Sequence, residues 1–328
     1  MRIGILSSGG DCPGINATIR GVGKTALSHF GMEVIGIKSG FLGLLENDYI
    51  PLDDFSLSGL LSLGGTILGT SREKPFKKIL KGESEQKPQI IVEHYRELAL
   101  DCLVCIGGNG TQKTAYKLSE LGLNVIGIPK TIDNDVWGTD ITFGFYSAVD
   151  IATEAIDRLH STASSHKRVM IIELMGHKAG WITLYAGMAG GADVILLPEL
   201  GYNINKVNQA ILDRADKGKS YSIVAVSENL EIDAKRIEKM TGIETRKTIL
   251  GYVQRGGSPS AYDRNLATRL GGHATELIHQ QQFGRMVCLQ NDQITSIPLK
   301  DVAGKLKLVP SDHDLIIQGR RMGISFGI

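Results

Sequence analysis

Short apolar runs alternate with amphipathic stretches along most of the chain. The runs at 2–6, 33–38, 102–106, 125–128, 169–174, 194–197, 221–226 and 248–253 have strand length and are bounded by turn residues, so they read as strands. Between them, apolar residues at helical spacing predict helices over 16–30, 90–100, 113–121, 144–163, 206–216, 233–240 and 260–280, with another ending at 189. The segments 286–290 and 293–297 read as a pair joined by an Asn291-Asp292 turn. Residues 39–43 read as a loop, 74–89 as a charged surface excursion, and the last residues as a basic, irregular tail. Strands alternating with helices predict a layered α/β protein.

The chemistry concentrates in 107–135. Gly107-Gly108-Asn109-Gly110-Thr111 directly follows one apolar run, and Pro129-Lys130-Thr131-Ile132-Asp133-Asn134-Asp135 follows the next. Strand, glycine-rich turn, helix and strand form one βαβ unit. Its parallel strands send both loops out at their carboxyl ends, beside the crevice where open α/β sheets bind ligands. The glycines allow backbone to approach a ligand closely, and a helix N-terminus offers unpaired N–H groups and a positive dipole end to phosphate. The second loop brings Asp133 and Asp135 together with Lys130 and the hydroxyl of Thr131. A phosphate cradle facing an acid–base loop points to phosphoryl transfer. The glycine-rich turn at 7–14 has neither dinucleotide nor P-loop spacing, which argues against a dinucleotide-dependent dehydrogenase. A third glycine-rich stretch, 64–72, ends in Arg72, whose planar guanidinium suits phosphate.

Composition narrows the classes further. The 328 residues, 42% of them hydrophobic, suit two α/β lobes. Lys and Arg number 36 against 35 Asp and Glu, so no general field draws the chain to nucleic acid or an anionic membrane. Any anion must be held by placed residues. Cys102 and Cys105 have the gap of a metal pair, but strand alternation sends them to opposite faces and no second pair completes a ligand set, so they read as core thiols. The N-terminal apolar run at 1–7 is too short for a signal peptide, no run approaches membrane-spanning length, and a reducing cytoplasm is expected.

These residues resemble the phosphofructokinase family over nearly the whole chain. The resemblance rests on Gly9-Gly10-Asp11 with Pro13-Gly14 and Asn16, on the glycine-rich stretch ending at Arg72, on 107–111 and on 129–135. It continues through 163–168, Met175-Gly176, Glu228, Glu244-Thr245-Arg246 and Gln254-Arg255-Gly256-Gly257-Ser258-Pro259. It implies two Rossmann-like three-layer α/β/α lobes with mainly parallel sheets and the active site in the cleft between them. Residues 1–140 plus 258–304 would form the donor lobe, and 141–257 plus 305–328 the sugar-phosphate lobe. The implied reaction moves the γ-phosphoryl of ATP to the 1-hydroxyl of fructose 6-phosphate. Asp133 would be the base, with Thr131, Lys130 and Arg72 also catalytic. Gly10, Arg72, Glu73, Gly107, Gly108, Asn109, Gly110 and Thr111 would hold the donor, and Asn109 and Asp135 the Mg²⁺. Thr131, Asp133, Arg168, Met175, Gly176, His177, Glu228, Arg246, Tyr252 and Arg255 would bind the sugar phosphate, Arg168 and Arg246 reaching the neighbouring subunit's site in a homotetramer.

Departures from the family pattern qualify this. Asn109 replaces an aspartate that binds Mg²⁺, so the metal should lean on Asp133, Asp135 and the donor phosphates. Gly110 is of the ATP-using kind and Lys130 of the pyrophosphate-using kind; a carboxylate at 110 would repel a nucleotide α-phosphate, which favours ATP, with pyrophosphate as the alternative. His177 replaces an arginine beside the transferred group, so Lys130 is expected to supply that charge, and Tyr252 replaces a histidine near the 6-phosphate. Arg20, Lys24, Asp193, Lys217 and Lys219 stand at effector positions, yet Asp54 and His160 replace phosphate-binding arginines there, so activation by ADP and inhibition by phosphoenolpyruvate should be weak or absent. A catalytically weakened regulatory subunit is a lesser alternative.

Overall fold

The computed structural model describes residues 1–77 and 86–328. In chain order the first elements are β1 (Arg2–Ser8), α1 (Ile15–Phe30), β2 (Glu33–Ile37), α2 (Phe41–Glu46), β3 (Tyr49–Pro51), α3 (Lys87–Glu97), β4 (Cys102–Gly107), α4 (Asn109–Glu120) and β5 (Val125–Pro129). There follow α5 (Phe145–His166), β6 (Val169–Leu174), α6 (Trp181–Ala189), β7 (Val194–Leu196), α7 (Ile204–Asp216), β8 (Ser222–Ser227), α8 (Ala234–Thr241) and β9 (Thr245–Ile249). Last come α9 (Ala261–His279), β10 (Arg285–Gln290), β11 (Gln293–Pro298), α10 (Leu299–Val302) and α11 (Asp314–Arg321).

The chain divides into two compact units. Unit 1 comprises Met1–Thr131, Val136–Gly144 and Arg255–Leu306; unit 2 comprises Ile132–Asp135, Phe145–Gln254 and Lys307–Ile328. Among the described residues, unit 1 holds a sheet ordered β11-β10-β5-β4-β1-β2-β3, parallel from β10 to β2 with antiparallel edges. One face packs Leu6, Ile35, Leu103, Cys105 and Val125 against Phe41, Leu44, Ile91, Ala115 and Leu118 of α2, α3 and α4. On the other face α1 lies so close to α9 that a Cβ on Gly21 would come within 2.8 Å of the Thr268 carbonyl. Unit 2 holds a parallel sheet ordered β7-β8-β6-β9. Val169, Ile171, Val224 and Val226 pack there against Val207 and Ile211 of α7 and Ile237 of α8. Both sheets are thus three-layer α/β/α, as parallel strands buried on both faces require.

The central βαβ unit and the hairpin form as expected, with Asn291 and Asp292 at φ 50° and 63° in the two-residue turn. All four cysteines are buried free thiols. No helix among the described residues is long and apolar enough to cross a membrane. Of the stretch 74–89, residues 78–85 lie outside the described residues, and 87–89 begin α3.

Three expectations are corrected. The loop at 39–43 leads into α2, because Gly43 serves close packing: a Cβ there would fall 1.8 Å from the Lys38 carbonyl. The strand expected over 248–253 runs instead over 245–249. Ile249 and Val253 of that apolar run are 65% and 59% exposed, and Gly251 at φ 60° turns the chain into a 3₁₀ segment. The tail carries α11, which buries Ile316.

Candidate active site

In unit 1 the loops after β1, β4 and β5 leave at the same, carboxyl end of neighbouring parallel strands. The helices that follow β1 and β4 cover opposite faces, so their loops part at a topological switch point. Hydrogen bonds draw these loops together. Thr111 Oγ1 donates to the Ser8 carbonyl (3.3 Å), and the Lys130 amide donates to the Gly107 carbonyl (3.0 Å). Lys130 is 3% exposed, and its Nζ donates to the Gly10 carbonyl. The segment leading to Arg72 joins them through Gly9 N–H to Ser71 O (2.9 Å) and Thr70 Oγ1 to Gly9 O (2.7 Å). Gly10, Gly107, Gly108, Thr111 and Lys130 are therefore gathered at one strand-end cluster.

Helix α4 begins at Asn109, earlier than its apolar pattern indicated, with no acidic residue in its first turn. Its glycines differ in what demands them. A Cβ on Gly107 would meet Thr111 Oγ1 at 2.2 Å, whereas one on Gly110 would meet nothing within 4 Å. Packing requires the first. The second costs about 0.5–1 kcal/mol of helix stability relative to Ala, with no packing to explain it. The Thr131 carbonyl accepts from Thr142 Oγ1 (2.8 Å). Arg255 stacks its guanidinium on Gly10, where a Cβ would lie 2.8 Å from Nη1. Glu73 pairs with Lys87 (2.9 Å), while Arg72 is exposed and makes no ion pair among the described residues. Burial pushes the neighbouring Cys12 thiol up to about 12, against the lowering effect of Lys130, so it is no nucleophile at neutral pH.

In unit 2 the acidic loop is held by the C-terminal segment. Lys307 Nζ donates to Asn134 Oδ1 (2.8 Å), and the Lys307 amide donates to the Asp135 carbonyl (2.9 Å). Trp181 Nε1 in turn donates to the Lys307 carbonyl (3.0 Å). Asp133 and Asp135 are thereby presented by a braced backbone. At the carboxyl end of the unit 2 sheet, Glu228 Oε1 accepts the amides of Gly176 (3.1 Å) and His177 (2.6 Å), and Gln254 Oε1 accepts that of Met175 (2.9 Å). Tyr252 is 72% exposed nearby in sequence, in the turn after β9.

Arg168 and Arg246 stand elsewhere. Arg168 immediately precedes β6 and Arg246 lies near the start of β9, whereas Met175 follows β6. The six residues of β6 separate the two ends by roughly 20 Å at about 3.3 Å per residue. There Arg168 Nε pairs with Glu244 Oε2 (2.6 Å), and Arg246 pairs with Glu244 and Glu238. The hydrogen bond from Arg168 holds the Glu244 carboxyl below its usual range. Arg246 also lines an open groove with Lys235, Lys239 and Lys247.

Among the described residues no group of three or more His, Cys, Asp or Glu side chains is arranged to hold a metal. Sequence reasoning missed Thr70, Lys307 and Gln254. Thr70 lies inside a glycine-rich stretch singled out for Arg72, and Gln254 opens the family motif singled out for Arg255, but neither was given a role; Lys307 carries no local signal, since it acts across a long separation in the chain.

A family model for phosphofructokinase matches residues 2–278. The chain is 67% identical to ATP-dependent 6-phosphofructokinase 3 of Bacteroides thetaiotaomicron over 336 aligned residues, covering 100% of each. It is 54% identical to an ATP-dependent 6-phosphofructokinase of Spirochaeta thermophila, covering 99% of this chain and 97% of that one. Among solved structures, a pyrophosphate-dependent phosphofructokinase of Marinobacter aquaeolei superposes with a TM-score of 0.86 at 26% identity, covering 99% of this chain and 88% of that one. The family match and the full-length relatives agree: the chain belongs to the phosphofructokinase family.

Proposed function

We propose that the chain transfers the γ-phosphoryl group of ATP to the 1-hydroxyl of D-fructose 6-phosphate, giving fructose 1,6-bisphosphate and ADP in the cytoplasm. The observation that carries this reading is the cluster in unit 1, where a buried lysine from the acid–base loop reaches the carbonyl of the glycine loop after β1. Gly10, Gly107, Gly108, Asn109, Gly110, Thr111, Arg72 and Glu73 take the donor, with the start of α4 facing its phosphates. Asp133 accepts the proton of the 1-hydroxyl as that oxygen attacks the γ-phosphorus and the bond to ADP breaks. Lys130, Thr131 and Arg72 stabilise the transferring group. Asp135, with Asn109 orienting a bound water, would hold Mg²⁺, which supplies charge neutralisation of the phosphates. Met175, Gly176, His177, Glu228, Tyr252 and Arg255 bind the sugar phosphate.

The donor assignment rests on Gly110, whose bareness nothing in the fold requires, and on the full-length relatives named for ATP. Aldolase-coupled turnover with ATP and with pyrophosphate, each with Mg²⁺, tests it. Rate with ATP is expected, and Gly110→Asp should raise the ATP KM by about tenfold or more with no loss of thermal stability. Rate with pyrophosphate alone would overturn the assignment.

The position of Arg168 and Arg246, far along the sheet from Met175, supports a site completed by a second copy of the chain, in a homotetramer. Mixing two inactive variants, Asp133→Asn and Arg246→Ala, through reversible dissociation should then restore activity, because some sites receive both intact residues. Mixtures as inactive as their parents would argue for self-contained sites.

Regulation should be weak. Lys24 Nζ already pairs with Asp54 (2.7 Å), and His160 is bound between Gly190 O and Tyr221 Oη, so neither offers a free cation to an effector phosphate. Fructose 6-phosphate saturation is expected to be hyperbolic and unchanged by ADP; a sigmoidal curve straightened by ADP would contradict this.

A further inference from the structure

Two side chains hold two consecutive carbonyls of the β1 loop: Thr70 Oγ1 donates to Gly9 O at 2.7 Å, and Lys130 Nζ donates to Gly10 O. Both peptides are trans. In a trans peptide the N–H points opposite to the carbonyl of the preceding residue. Fixing the Gly9 and Gly10 carbonyls therefore turns the amides of Gly10 and Asp11 away from Thr70 and Lys130. Those two amides have no acceptor in the chain among the described residues. Backbone N–H groups left this way are strong donors awaiting a partner.

The same threonine sits in a segment stitched to β1. Ser7 Oγ donates to Gly69 O (2.8 Å), Gly9 N–H to Ser71 O (2.9 Å) and Ser8 Oγ to Ser71 O (3.3 Å). Arg72 follows at once. Thr70 therefore couples the orientation of the glycine-loop amides to the placement of Arg72, and its hydroxyl is the one side-chain atom bonded across from this segment to the Gly9 carbonyl among the described residues.

We infer that Thr70 is a positioning residue for the phosphoryl donor, presetting the Gly10 and Asp11 amides and Arg72 toward its phosphates. The inference rests on the donor site proposed above. Its selective effect follows from where the bond lies: losing it frees a donor-facing backbone, and among the described residues the Thr70 hydroxyl bonds none of those proposed to bind the sugar phosphate.

The test compares Thr70→Val, which keeps the shape and removes the hydroxyl, with Thr70→Ser, which keeps the hydroxyl, in the full chain. KM for ATP, KM for fructose 6-phosphate, kcat and Tm are measured for each. Thr70→Val should raise the ATP KM about tenfold, the worth of one charge-facing hydrogen-bond set, with the fructose 6-phosphate KM within about twofold. Thr70→Ser should return the ATP KM to within about threefold of wild type. An unchanged ATP KM in Thr70→Val, both KM values rising together as Tm falls, or a serine variant no better than the valine one would each overturn the inference. If the wild-type protein itself fails to phosphorylate fructose 6-phosphate with ATP, the donor-site reading falls, and this inference with it; active wild type with an indifferent Thr70→Val removes the inference alone.

Discussion

Asp133→Asn should fold normally and lose about 10²–10⁴-fold in kcat, with little change in either KM, as expected when a positioned general base is removed. The loop that carries Asp133 is anchored on both sides of it. Ile132 is buried, Asn134 and Asp135 are anchored by Lys307, and Lys307 is held by Trp181. An isosteric amide leaves those anchors intact, so Tm should stay within a few degrees of wild type. Coupled kinetics and a melting curve on the same preparation decide the matter. A kcat within about tenfold of wild type would reassign the proton to another acceptor and remove Asp133 from the chemistry.

Lys130→Ala is expected to lower kcat by about 10²–10³-fold, the range for losing one preorganised electrostatic contact to a developing charge. Its ammonium is the buried cation of the cluster, and His177, the residue at the position of the family's usual arginine, is exposed, with its backbone amide held by Glu228. A donor KM rising alongside is also expected, because the Gly10 carbonyl loses its partner and the amides beyond it lose their orientation. Lys130→Met keeps the apolar stem, so a matching loss of kcat in both variants ties the effect to the charge. Near-normal turnover in either would show that the transferring group draws its stabilisation from elsewhere.

Most of the layer architecture was legible from local pattern, and the misses have definite causes. At 39–43 the glycines suggested a loop, but Gly43 is there because α2 passes against the Lys38 carbonyl, a constraint visible only once the two segments are together. At 248–253 the apolar run suggested a buried strand; the true strand, β9, is an edge strand carrying Arg246 and Lys247, which hydrophobicity alone cannot flag. The α4 start at Asn109 was missed because glycines and an asparagine mark a turn in isolation, while here Gly107 ends β4, Gly108 caps the helix and Asn109 and Gly110 open its first turn.

For the site, the glycine-rich turns, the acidic loop and the order of the family motifs were enough to name the family and to single out the loops that follow β1, β4 and β5. Those features are local: a strand, a turn and a helix start are set by residues adjacent in sequence, and their geometry follows from backbone preference. The supports of the site were decided by the tertiary structure. Thr70 bonds across 61 positions to Gly9, Lys307 across 173 to Asn134, and Gln254 across 79 to Met175. A hydrogen bond at such separation leaves no periodicity in the chain, because each partner satisfies its own local pattern and only folding brings donor to acceptor. The opposite placement of Arg168 and Arg246 from the Met175 loop was decided the same way, by strand direction within the second sheet.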